Sequence, residues 1–376
     1  MRRKPMNDIT TVLQTDEQAV FVLRALYRQY GYSQYKMSKF EEYDLYVRNK
    51  DFLVSDRVIT FTDTNGKLMA LKPDVTLSII KNFHDSIGSV QKLYYNENVY
   101  RIPKGSYGFR EIMQVGLECL GDVDRYNLCE VILLAVQSLK TISTQSVLDI
   151  SHMGFVTGVL EAVPLQENQK NRILQCIGEK NLSGIQAICR EEGLQEEQTG
   201  LLTGMASAYG KLESVLGMLQ PLNINNKTDM ALKELENICH VLKQSGLSDW
   251  VQLDFSVVND MAYYSGIVFR GYVNGIASGI LSGGQYDKLM EKMGKSAGAI
   301  GFAVYLDLLR QQSSDDDDYD TDVLLLYDEQ ADMATLVEKV QELIEQGLRV
   351  MTQKTVPDKI RYKKLYRVTK EGIKRD

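Results

Sequence analysis

The chain has 376 residues, 44% of them hydrophobic and 25% charged, with a formal net charge of −7. That length is enough for two or three domains with a core of normal size, so neither disulfides nor metals are needed to hold it. The acidic balance argues against a dedicated nucleic-acid binder, because phosphate contacts reward clustered Lys and Arg. Five cysteines (Cys119, Cys129, Cys176, Cys189, Cys239) include no CxxC pair, and the three histidines (His84, His152, His240) form no ligand cluster with them. Reduced thiols in a cytoplasmic protein are the expected reading, with no metal and no cofactor. The first residues carry charge without an apolar core, and no apolar run approaches the about 18 residues of a membrane span.

In chain order, residues 16–30 read as an amphipathic helix that Asp16 can cap, with Val20, Leu23, Leu26, Tyr27 and Tyr30 on one face and Gly31 ending it. Strands are expected at Arg57–Thr62 and Leu68–Leu71, joined by the Thr64-Asn65-Gly66 turn. Pro73-Asp74 starts a helix through about Asn82. Val90–Val99 and Glu111–Leu120 read as strands joined by the Pro/Gly/Ser loop Ile102–Gly108, and helical periodicity resumes at Leu128–Leu139. Residues 155–246 read as a helical insertion. Strand signals return at Val251–Val258, Gly266–Val273 and Gly275–Leu281, followed by a helix at Ala299–Arg310. Ser313–Asp320 is an acidic linker. Val323–Tyr327, Ala334–Glu345 and Leu348–Met351 suggest strand, helix, strand, and the basic stretch Lys354–Arg375 reads as a solvated end. The expected organisation is therefore 1–154 and 247–312 as two parts of one core, 155–246 as the insertion, 313–320 as linker and 321–376 as a short C-terminal α/β segment.

Four separated motifs stand out. Leu71-Lys72-Pro73-Asp74-Val75-Thr76 offers a carboxylate and a hydroxyl, the groups a cationic amino group requires, although Pro-Asp is also a common helix start. Tyr100-Arg101 leads through a glycine-containing loop to Arg110-Glu111-Ile112-Met113-Gln114-Val115-Gly116-Leu117-Glu118. The even spacing of Gln114 and Glu118 puts them on one face of a strand, as any polar sheet face would. Asn259-Asp260-Met261-Ala262-Tyr263-Tyr264 carries a tyrosine pair able to close a ring pocket. Gly283-Gly284-Gln285-Tyr286-Asp287, whose glycines permit a tight turn and close backbone approach, precedes Gly301-Phe302-Ala303 and Leu308.

In this order the motifs resemble those of the histidyl-tRNA synthetase family: LRPE-x-T, motif 2, LVRGLDYY, and GG-x-YD with its GFA segment. The resemblance covers about residues 10–310. It implies an α+β fold, a class II aminoacyl-tRNA synthetase-like antiparallel sheet flanked by helices, with a helical insertion and a short C-terminal α/β segment. It also implies that Asp74, Thr76, Gln114, Glu118, Tyr263 and Tyr264 hold histidine. The ATP side departs from the pattern. Arg101 stands for the motif 2 arginine, but no glutamate follows at the expected place, and the loop's second arginine falls at about Gly108. Asn259 replaces the signature arginine, and Leu308 replaces the arginine that holds ATP phosphates. A neutral side chain cannot stabilise charge developing at phosphorus.

The retained and lost positions separate by ligand, which random decay does not predict. The resemblance therefore implies a non-catalytic member of the family, of the kind that serves as regulatory subunit of ATP phosphoribosyltransferase in histidine biosynthesis. Its partners would be the short-form catalytic subunit, L-histidine as feedback effector, and a second copy of itself, with neither membrane nor nucleic acid. Ser38-Lys39-Phe40-Glu41 stands at the family's dimer motif without its proline. The alternatives are an active histidyl-tRNA synthetase and a non-catalytic tRNA-binding paralogue, the latter supported only by the basic tail.

Overall fold

The computed structural model describes residues 13–53, 57–84, 88–102, 108–257, 264–310, 319–369 and 372–375. It divides into two compact units, residues 15–312 and a C-terminal unit beginning at residue 313. The strands in chain order are β1 Ser33–Gln34, β2 Phe40–Glu42, β3 Thr60–Thr62, β4 Leu68–Leu71, β5 Val90–Arg101, β6 Arg110–Gly121, β7 Ser146–His152 and β8 Tyr209–Lys211. They continue as β9 Val251–Asp254, β10 Ile267–Val273, β11 Leu281–Gln285, β12 Gly298–Tyr305, β13 Thr321–Tyr327, β14 Val350–Gln353, β15 Tyr362–Thr369 and β16 Gly372–Arg375.

The larger unit is built on a nine-stranded sheet in the order β1-β5-β6-β12-β11-β10-β7-β9-β8. Its pairs are antiparallel except β1 with β5 and β7 with β9. Alternation along β6 explains why one sheet has two cores. Val115, Leu117 and Cys119 enter the core beneath the helices Thr15–Gln29 and Arg125–Ile142. Ile112 and Leu120 enter a second core on the opposite face, with Leu93, Tyr95, Tyr286, Leu289 and Ala299. Gln114, Gly116 and Glu118 share that second face. A small sheet, β2-β4-β3, lies in the same unit, and its Asp63–Lys67 turn is the expected hairpin.

Helices dominate residues 155–246 as expected, but two details differ. The first of them, Met153–Glu161, follows β7 directly, and the stretch contains β8, which pairs with β9. Its buried side chains, among them Ile173, Ile185, Leu202 and Leu235, belong to the same core as the sheet. No element was expected at β7, whose Leu148 and Ile150 are fully buried while Asp149 and Ser151 alternate with them.

Four further expectations are corrected. Asp16 lies inside the first turn of the helix Thr15–Gln29 instead of capping it. Residues Gly298–Tyr305 form a strand, not the start of a helix, and helical structure is confined to Asp307–Arg310. An unbroken apolar run carries no period that separates a buried strand from a helix, and pairing on both edges with β11 and β6 decides for the strand. Gly283-Gly284 lies within β11, and the turn falls earlier, at Asn274–Gly275, where Gly275 has φ of 86°. The basic stretch after Lys354 is ordered: β15 and β16 complete the four-stranded sheet β14-β13-β15-β16. Val323, Leu325 and Val368 pack there against Leu336 and Leu343 of the helix Met333–Glu345. Lys363, Lys364 and Arg367 occupy exposed positions of β15, which charge counting alone reads as a tail. The linker lies outside the described residues except at Tyr319 and Asp320.

All five cysteines are free, and among the described residues no cluster of acidic, Cys or His side chains could hold a metal. No described helix is long and apolar enough to cross a membrane.

Candidate functional site

Glu118 is the centre of the second face. It is 2% exposed, and three neighbours explain how a carboxyl can sit there. Thr76, at the start of the helix Thr76–Asn82, donates its hydroxyl to Glu118 Oε1 at 2.9 Å. Tyr286, where β11 passes into the helix Asp287–Lys292, donates to Oε2. Gly301 lies in register with Glu118 on β12, and a Cβ there would overlap the carboxylate. Burial pushes the Glu118 carboxyl up to about 8, and the nearby Asp74 carboxylate adds to the rise, while the two hydroxyl bonds pull it back. At neutral pH Glu118 is therefore largely the neutral acid.

Asp74 performs the structural task its sequence suggests, accepting the Leu77 N–H at 2.9 Å and so capping the first turn. Its carboxyl also stands above the usual carboxylate range, from desolvation first, with Arg101 and Lys72 acting in the opposite direction. Thr76 is at once a first-turn residue and a Glu118 partner.

Tyr264 arrives from the other side. Its ring lies against Gly284, where a Cβ would meet it at 2.7 Å. Asp287 fixes this approach: its N–H donates to Ser265 Oγ at 3.1 Å, and its carboxylate accepts from the Ala299 N–H at 2.9 Å. The GG-x-YD motif therefore works through Tyr286 on Glu118 and through Asp287 on the segment that carries Tyr264. The fully buried Tyr95, next to Glu118 and Asp74 in charge, completes the wall.

The structure brings together Asp74, Thr76, Glu118 and Tyr264 around one face of the sheet. Gln114 shares the face, 5% exposed, four residues along β6 toward Arg101. Tyr263 and Asn259 lie outside the described residues. Arg101 closes β5, 8% exposed. Leu308 packs against the core of the opposite face, so its side chain serves packing. Tyr286 and Tyr95 were missed as site residues. Tyr286 was visible within GG-x-YD, but nothing in the sequence marked Tyr95, whose role appears only through its register with Gly116.

Comparison with known proteins agrees with this geometry. The sequence profile of the family described as histidyl-tRNA synthetase matches residues 13–309. An ATP phosphoribosyltransferase regulatory subunit of Thermoanaerobacter sp. (strain X514) is 30% identical over 314 residues, 81% of this chain and 82% of that protein. The same subunit of Acetivibrio thermocellus is 27% identical over 337 residues, covering 87% and 80%. A crystal structure from Bacillus halodurans, described as an ATP phosphoribosyltransferase regulatory subunit/histidyl-tRNA synthetase, superposes with a TM-score of 0.71 at 26% identity. It covers 96% of this chain and 95% of its own.

Proposed function

We propose, for a chain that belongs to the histidyl-tRNA synthetase family, the role of non-catalytic regulatory subunit of ATP phosphoribosyltransferase. The observation that carries this reading is the division of the site. Its acidic, hydroxyl and aromatic end is assembled around Glu118, while the Leu308 side chain has been absorbed into the core. The relatives named as regulatory subunits of that enzyme favour it over the synthetase reading.

In this role the protein pairs with the short-form catalytic subunit and carries histidine sensitivity into the complex. Histidine sits with its amino group at Asp74 and Thr76 and its ring among Gln114, Glu118, Tyr263 and Tyr264. A cationic ligand beside Glu118 favours the ionised carboxylate over the neutral acid. Regulation follows from linkage: histidine inhibits to the extent that it binds the inhibited state of the complex more tightly than the active one. A self-dimer belongs to the same reading, supported by Phe40 and Phe61. Their exposed rings meet edge-on at 5.5 Å on the small sheet.

The test is ATP–pyrophosphate exchange in the presence of histidine. Losing one phosphate-stabilising cation lowers rates by about 10²–10³, so exchange at the level of an active synthetase would refute the reading. Stabilisation of the chain by histidine, without exchange, is the expected result.

A further inference from the structure

The end of the site beyond Gln114 joins the motif 2 arginine, Arg101, to two groups that no motif singled out, Tyr305 and Asp307. Tyr305 closes β12 and is the register partner of Gln114. Its backbone is fixed: the Tyr305 N–H donates to the Ile280 carbonyl at 2.7 Å, and the following Leu306 N–H to the Met113 carbonyl at 3.0 Å. Alternation along β12 sends its side chain to the face of Gly301 and Ala303, the face that carries Glu118. There the Arg101 guanidinium lies over the ring, 5.4 Å from its centroid, within reach of a cation–π interaction.

Two carboxyl groups, Asp74 and Asp307, lie close enough to feel the charge of that guanidinium. Asp307 Oδ1 is buried and has no hydrogen-bond partner. The other buried cation nearby, Lys72, is committed to Glu97 at 2.9 Å. Arg110, in register with Arg101 and also facing Asp307, is exposed and stands outside this buried group.

A bound phosphate needs free N–H donors and net positive charge. Among the described residues here, the one buried guanidinium, that of Arg101, lies over a ring and is outnumbered by the carboxyl groups of Asp74 and Asp307. We infer that Tyr305 and Asp307 make this end of the site selective against phosphate, so that the ligand it admits is a free amino acid and not a nucleotide or an aminoacyl adenylate. The ring takes the space beside Gln114 and the face of Arg101, and Asp307 adds like-charge repulsion against the wrong ligand. This rests on the preceding reading that an amino acid binds between Asp74, Thr76 and Glu118.

The experiment measures calorimetric binding of histidine, ATP and the non-hydrolysable sulfamoyl analogue of histidyl adenylate to the full chain, as wild type, Y305A, Y305F and D307N. Wild type is expected to bind the analogue at least about tenfold more weakly than histidine. In Y305A that ratio shifts toward the analogue by about tenfold or more, and in D307N it shifts in the same direction. Y305F keeps the ring and the wild-type ratio. D307N carries the test if Y305A does not fold. An analogue bound by wild type as tightly as histidine, or a ratio unmoved in the folded variants, overturns the inference. Failure of histidine itself to bind overturns the preceding reading instead. ATP then decides here: binding gained in Y305A or D307N supports the selectivity claim, and none gained contradicts it.

Discussion

Replacing Glu118 by glutamine removes one titrating group and keeps its shape, so the consequence can be worked out with its sign. In the folded protein the carboxyl is held up to about 8, while in the unfolded chain it has the ordinary value of 4.5. Folding therefore takes up a proton between those values. The stabilisation is complete below the unfolded value and is lost as pH rises through the folded one. The loss reaches about 1.4 kcal/mol per pH unit in the middle of the window, on the order of 2–3 kcal/mol from about pH 5 to about pH 7. Glutamine has no such slope. Asp149, held up to about 6 mainly by burial, titrates in both proteins and drops out of their difference. Chemical denaturation of wild type and Glu118→Gln at several pH values, without histidine, is the assay. The variant is expected to gain on wild type steadily as pH rises. Two stability curves that run parallel from pH 5 to 8 would show that Glu118 ionises normally and that its burial has been misjudged.

Three further outcomes follow from the same geometry. Gly301→Ala places a methyl against the Glu118 carboxylate and the Leu117 carbonyl, so it should cost about 1–3 kcal/mol and remove the thermal shift given by histidine. A folded variant with an unchanged shift would separate Glu118 from the ligand. Thr76→Val deletes the hydroxyl given to Glu118 Oε1. Denaturant titration should show a loss of about 1 kcal/mol, together with weaker histidine binding by calorimetry. In the C-terminal unit, Val368→Ala trims a fully buried side chain of β15 and should cost on the order of 2 kcal/mol, whereas Lys364→Ala at an exposed position should cost little. Hydrogen exchange of the β15 amides distinguishes these, and equal exchange in the two variants would restore the view of this segment as a solvated end.

What the sequence disclosed follows from where the physical signal is local. The Asn65-Gly66 hairpin, the long β5 and β6 ribbon and the helix Thr15–Gln29 each carry their own turn, alternation or period, and each was read close to its observed limits. Asp74, Thr76 and Glu118 stood out in the sequence as polar groups inside motifs, and the structure adds that Thr76 and Glu118 are hydrogen-bonded to each other. The errors arose where structure depends on distant partners. Ile300, Phe302 and Val304 look the same in a buried strand and in a buried helix, and only β6 and β11 tell them apart. Asp149 and Ser151 make β7 look like a loop until its neighbours β10 and β9 are known. Tyr95 and Tyr305 come to this face through register with Gly116 and Gln114 and not through any motif, so nothing in the sequence marked them.

In the proposed role this chain lends histidine control to a partner that performs the chemistry. The most direct measurement is phosphoribosyl transfer to ATP by the short-form catalytic subunit, with and without this chain, titrated with histidine. Activity that rises when the chain is added and then falls with histidine, with the fall abolished by Glu118→Ala, is the predicted result. Activity indifferent to the chain, or histidine inhibition that persists unchanged in the Glu118→Ala complex, would contradict it.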